Sequence, residues 1–238
     1  MLKDYPTKHL LQSQKMIKHI KKNIKSKEKN WNGIFIYVKD QLENKVSLDD
    51  VLNTVEKEVP KHLLRYIDSI YIGQFKEIVD RGVEAVYTDG AIYITNEQDS
   101  NEDMVDDLVH EIAHSVEEVF KTQIYGDLEI ESEFLEKRKE LHRILSDEGY
   151  NVSLMYYLDA EYNRGFDDFL SQEVGYPILT ALTVNLFYSP YGATSLREYF
   201  ANGFEAFFHY KDLNRLKNLS PKLFDKIKEL LYNNEYDY

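Results

Sequence analysis

A mostly helical α+β fold is what this 238-residue sequence predicts, and three features predict it. Apolar residues recur at helical spacing around His110-Glu111-Ile112-Ala113-His114, the pattern of a helix with one buried face. Just upstream, two β-prone runs flank Asp89-Gly90, a strong hairpin signal. Downstream of Leu128, amphipathic segments of helical period follow one another to the C-terminus. The expected architecture is a small antiparallel sheet at residues 65–96, a long helix, and a helical C-terminal subdomain.

In chain order, residues 1–30 read as a basic amphipathic helix. Ile17, Ile20 and Ile24 form a narrow apolar stripe, with nine Lys against only Asp4 and Glu28. Residues 1–59 are therefore set apart as a basic helical extension, with a partner-docking arm as the sharper reading of its start. Trp31–Val38 is a short apolar run that fits a strand or a buried helix. Ser47-Leu48-Asp49-Asp50 resembles a capping box opening a helix that stops before Pro60. Tyr66–Phe75 alternates and reads as a strand. Glu84–Tyr87 and Ala91–Thr95 form the hairpin around Asp89-Gly90. Asn101-Glu102-Asp103 supplies a cap and negative charge at the start of the next helix. Its buried stripe comprises Met104, Val105, Leu108, Ile112, Val116 and Val119. Leu128–Leu145 is a highly charged helix, Asp159–Glu173 another. Pro177–Ser189 is the most apolar stretch and reads as core. Leu196–Tyr210 is a Phe-rich helix, and Pro221–Tyr232 a terminal amphipathic one opened by Ser220.

Composition narrows the function classes. A formal charge of −13 argues against general nucleic-acid binding. The absence of Cys excludes disulfides and thiolate metal ligands, so any metal must be held by nitrogen and oxygen. No stretch reaches the ~18 apolar residues of a membrane span. The N-terminus lacks the apolar run of a secretory leader, which gives a cytoplasmic expectation, or delivery by another route. The Lys-, Asn- and Tyr-rich composition points to a low-GC bacterial or phage source.

His110-Glu111-Ile112-Ala113-His114 is an instance of H-E-x-x-H. Two histidines four apart on a helix share a face, about 6 Å apart along the axis, so both imidazoles reach one metal ion. Glu111 then stands where it can take a proton from water. Two imidazoles need a third protein ligand. A further His six residues on is ruled out by Phe120. The segment Arg197–Glu205 offers two carboxylates. Glu198 is favoured, because Asn202 lies one turn on and the small Ala201 lets two site helices approach closely. Glu205, about 10 Å further along the helix, is the alternative. His19, His62, His142 and His209 are isolated and read as surface or packed histidines.

His110–His114 followed by Tyr191-x6-Glu198-Tyr199-Phe200-Ala201 resembles the catalytic domain of the anthrax lethal factor-like zinc peptidases. The bacterial Pro-Pro endopeptidases belong to the same group. The resemblance covers roughly residues 60–126 and 177–232. It implies a zincin-like metallopeptidase domain of gluzincin type over residues 60–238. His110, His114 and Glu198 would hold Zn²⁺, Glu111 would be general base, and the Tyr191 hydroxyl would face the developing oxyanion. Residues 127–176 then read as an inserted pair of helices, and Asn202 stands where the family often has an acid. The implied reaction is peptide-bond hydrolysis on an extended substrate. The alternative is a catalytically silent binding or structural protein of a virion or secretion apparatus.

Overall fold

The computed structural model describes residues 27–232. The basic helix expected over residues 1–30 thus lies outside the described residues, except for its last four, which are strand. β1 (Lys27–Trp31) and β2 (Ile34–Val38) form an antiparallel hairpin. Its turn, Asn32-Gly33, has φ of +52° and +93°. Asn-Gly accepts two left-handed residues in a row, which is what a tight hairpin turn requires.

The sheet continues through β3 (Ser69–Ile72) to β4 (Ala85–Thr88) and β5 (Ala91–Ile94). Its order is β1-β2-β3-β5-β4, with β3 parallel to both β2 and β5. The sheet is therefore mixed, not antiparallel as expected. Only its two hairpins are antiparallel. Parallel neighbours need crossover connections. α1 (Leu48–Glu58) and α2 (Lys61–Leu64) supply one, and α3 (Lys76–Val79) lies in the other. The expected division at residue 60 falls between β2 and its partner β3. β1, β2 and α1 are parts of this sheet and its core.

One face of the sheet carries the stacked rings of Tyr37, Tyr71 and Tyr93, 5.1 and 4.9 Å apart between centroids. Phe75 and Ile78 close over them. The other face packs on α1 and on the long helix α4 (Asn101–Tyr125). α4 is capped by Ser100, one residue before the expected cap, whose Oγ accepts from the Asp103 N–H at 3.2 Å. The expected stripe is buried up to Val116. Val119 is exposed, next to a break in helical geometry at Phe120.

α5 (Glu129–Asp147) follows, then the short α6 (Leu154–Tyr157) and α7 (Arg164–Asp168). The single helix expected over residues 159–173 is instead α7 running into a π-helical turn at Phe169–Gly175. Gly175, at φ +84°, ends that turn, and α8 (Tyr176–Thr183) begins with Pro177 in its first turn. The apolar stretch 177–189 is only partly core. Leu179 and Phe187 are buried, while Ile178 and Val184 are exposed. A 3₁₀ turn at Tyr191–Ala193 leads into α9 (Leu196–Phe208), capped by Ser195 Oγ on the Glu198 N–H. α10 (Leu213–Leu219) and α11 (Pro221–Leu230) close the chain. Among the described residues no helix is long and apolar enough to cross a membrane.

α9 is wedged between α4 and α11. Gly203 makes the second contact close. A Cβ there would lie 2.4 Å from Leu223 Cδ2 and 3.2 Å from Ile227 Cδ1. Gly203→Ala is expected to destabilise the protein by about 1–3 kcal/mol through overpacking. Urea unfolding would read this, and an unchanged midpoint would show that α11 yields freely.

Candidate metal centre

α4 and α9 bring three side chains to one point. His110 and His114 project from the same face of α4, and Glu198 from the first turn of α9. The two Nε2 atoms are 3.2 Å apart. The Glu198 carboxylate meets both, Oε2 at 3.0 Å from His110 Nε2 and Oε1 at 3.6 Å from His114 Nε2. Ligands about 2.05 Å from a tetrahedral ion are separated by about 3.3 Å along each edge. The three observed separations bracket that length. Two imidazoles and one carboxylate, with no thiolate, are a donor set that suits a divalent cation with one position left over.

The outer ring nitrogens are also held. His110 Nδ1 lies 2.5 Å from Glu205 Oε1. The other Glu205 oxygen accepts from Asn202 Nδ2 at 3.2 Å, and Asn202 Oδ1 accepts from Ser189 Oγ. Glu205, the alternative ligand in the sequence, thus stands on the far side of the His110 ring. With a cation on Nε2 it would accept the Nδ1 proton, the carboxylate–histidine arrangement of metal sites. His114 Nδ1 meets Glu117 Oε2 at 3.4 Å and Arg197 Nε at 3.0 Å. These two contacts demand opposite tautomers. A cation on Nε2 places the proton on Nδ1, which then donates to Glu117. Arg197 pairs with the same Glu117 oxygen at 3.4 Å, and Tyr125 OH donates to the other at 2.8 Å.

The charges report the same demand. Burial opposes the Glu198 carboxylate, yet its bonds to His110 and His114 hold its pKa well below the usual range. Burial would lower the His110 pKa, but Glu198 and Glu205 push it well above the ordinary value. Burial raises that of Glu205, in spite of His110. The Glu198 carboxylate and the His110 imidazole thus each favour their charged form, whereas burial disfavours charge on Glu205.

Glu111 is buried beside this point, and one ligand atom from each of His110, Glu111 and His114 fits within a 4.8 Å span. That trio omits Glu198, although Glu198 alone bonds both Nε2 atoms. Glu111 is instead engaged elsewhere, its Oε2 accepting from the Tyr87 N–H of β4 at 2.5 Å. The contacts therefore favour Glu198 as the third ligand of a metal held here and leave Glu111 fixed beside it by the Tyr87 N–H. β4 is an edge strand. The Thr95 N–H donates to Glu84 O. Ladder alternation then turns the backbone groups of Ala85 and Tyr87 away from β5, toward the open edge.

Tyr191 stands in the 3₁₀ turn before α9, its ring centroid 6.2 Å from that of His110. Burial, and next the Glu198 carboxylate, push its pKa up, so its hydroxyl keeps its proton. His110, Glu111, Tyr191 and the Ala85 edge border one cleft of about 750 Å³. Tyr188, Ser189 and Pro190, just before the 3₁₀ turn, line it too. A second cleft of about 470 Å³ opens on the His114 side, with Glu117, Tyr162 and Arg197 in its wall.

His62, His142 and His209 take no part. They meet the Leu230 carbonyl, the Tyr157 ring and Glu58, respectively. His19 lies outside the described residues. Glu117 is a site residue that the sequence pattern did not single out. Its place three residues after His114, on the same helical face, was the available signal. No family model, curated protein or solved structure matches the chain.

Glu198→Ala should weaken Zn²⁺ binding by more than the about 10–100-fold expected for Glu205→Gln. Competition titration with a chromophoric chelator would rank them. The reverse order would make Glu205 the ligand.

Proposed function

We propose that this protein is a zinc-dependent endopeptidase, with a zincin-like catalytic unit of gluzincin type. The observation that carries the reading is the triangle of His110 Nε2, His114 Nε2 and the Glu198 carboxylate, with edges of 3.0, 3.2 and 3.6 Å. Zn²⁺ held there would supply Lewis acidity, lowering the pKa of water toward 7 and polarising a carbonyl.

The chain's own residues supply the rest. Glu111, oriented by the Tyr87 N–H, accepts a proton from the attacking water and delivers it to the leaving amine. The Tyr191 phenol donates a hydrogen bond to the oxyanion as the carbonyl becomes tetrahedral. An extended peptide adds to the sheet by pairing with the N–H and C=O of Ala85 on β4, which runs its scissile bond past Glu111. Tyr188 and the 188–191 loop form the opposite wall. Partners are accordingly peptides or proteins in extended form. A catalytically silent binding protein could use the same edge strand, but it would not need a buried Glu111 beside the ligand cluster.

Glu111→Gln is expected to keep its zinc while turnover of a peptide library falls by about 10³-fold or more, whereas Tyr191→Phe should cost about 10²-fold. Metal analysis alongside the cleavage assay checks both. Near-native cleavage by Glu111→Gln would refute its role as base. Chelator-insensitive cleavage, or none by the zinc-loaded protein, would refute the peptidase reading.

A further inference from the structure

We propose that Arg138 of α5 is a positioning residue that clamps the turn carrying Tyr191 and so sets where the phenol stands in the cleft. Arg138 is 1% exposed. No carboxylate is among its hydrogen-bond partners. Its two Nη atoms donate to four main-chain carbonyls instead, and its buried Nε has no hydrogen-bond partner among the described residues. Nη1 donates to Ala193 O at 2.6 Å and Thr194 O at 3.1 Å, and Nη2 to Tyr156 O and to Asp159 O at 3.5 Å. The plane lies 4.1 Å from the Phe166 ring centroid. Burial lowers its pKa to about 10, so the charge persists.

A buried cation with no carboxylate in hydrogen-bond contact, offset only at longer range by Asp159, is costly, and an apolar side chain of the same volume would fill the space more cheaply. Packing alone thus fails to account for the guanidinium. What it does hold is the far side of the Tyr191 turn. From there the connection to Tyr191 is short. The Thr194 Oγ1 and N–H both donate to Tyr191 O, at 2.8 and 3.0 Å. On the opposite side the turn sits flush on α9, because a Cβ at Gly192 would lie 2.8 Å from Asn202 Oδ1. The turn is gripped between Asn202 and Arg138, and only the Tyr191 side chain is left facing the cleft. α5, α6 and α7 all fall within residues 127–176, so the segment read as an insertion has a stated task. Lys137, next on α5, grips Leu186 O and Leu219 O at 2.6 Å each in the same manner.

What Tyr191 does rests on the peptidase reading; where it is held does not. The test therefore has two readouts. With 3-fluorotyrosine at position 191, the metal-free protein should give one shifted ¹⁹F resonance. Arg138→Lys should broaden it or move it toward the free amino acid. In peptide cleavage, Arg138→Lys should lower kcat about tenfold with KM and zinc content within about twofold, yet change kcat less than about twofold in the Tyr191→Phe background. Thr194→Val, which removes one link without touching the buried charge, should show the same non-additivity should Arg138→Lys fail to fold. An unchanged ¹⁹F signal, or equal losses in both backgrounds, would reduce Arg138 to a general brace and overturn the proposal. A wild-type protein without peptidase activity would sink the functional reading, and the ¹⁹F comparison would still decide the clamp.

Discussion

Two imidazole nitrogens 3.2 Å apart, with one carboxylate against both, are the constraint on which the rest of this structure depends. Lone pairs brought that close repel unless a proton or a metal cation lies between them. Glu198, Glu205, Glu117 and Glu111 surround the pair within a largely buried volume. Concentrated, desolvated negative charge is costly without compensation. A divalent cation between the rings would answer both problems at once. It would also fix the tautomers, with each Nδ1 proton directed to its own carboxylate.

The fold serves that point from several directions. α4 sets the two histidines one turn apart, and the sheet on its buried side keeps it straight through the site. β4 reaches the same helix through Tyr87 and Glu111, so the strand edge and the Glu111 carboxylate are fixed relative to each other. α9 presents Glu198 and Glu205 seven residues apart, on opposite sides of one imidazole. A single helix thereby provides both a ligand and the group that orients another ligand. α5 holds the 3₁₀ turn from behind through main-chain carbonyls.

Local chemistry made part of this legible in the sequence. Asp89-Gly90 specified its hairpin because few residue pairs tolerate two positive φ angles, and the spacing of His110 and His114 required a shared helical face. Asn32-Gly33 carries the same signal as Asp89-Gly90, with two positive φ angles, but the short apolar run after it has no period that separates strand from helix. Parallel pairing of β3 was beyond reach, since it depends on partners more than 20 residues away and not on a turn. The break from α7 into a π-helical turn escaped periodicity, because the carboxylates of that stretch mimic a solvated helix. Arg138 was hidden for a similar reason. On a helix dense in Lys and Glu, one buried guanidinium looks like any surface charge. Composition could offer both Glu198 and Glu205, but only the packing of α9 on α4 decides which ring nitrogen each one meets.

Anomalous diffraction at the zinc edge, from crystals of the zinc-loaded protein, tests the central claim most directly. The account predicts a single strong peak about 2.0–2.1 Å from His110 Nε2, His114 Nε2 and a Glu198 oxygen. A peak bonded to Glu205 or Glu111 in place of Glu198, or no peak between the two imidazoles, would contradict it.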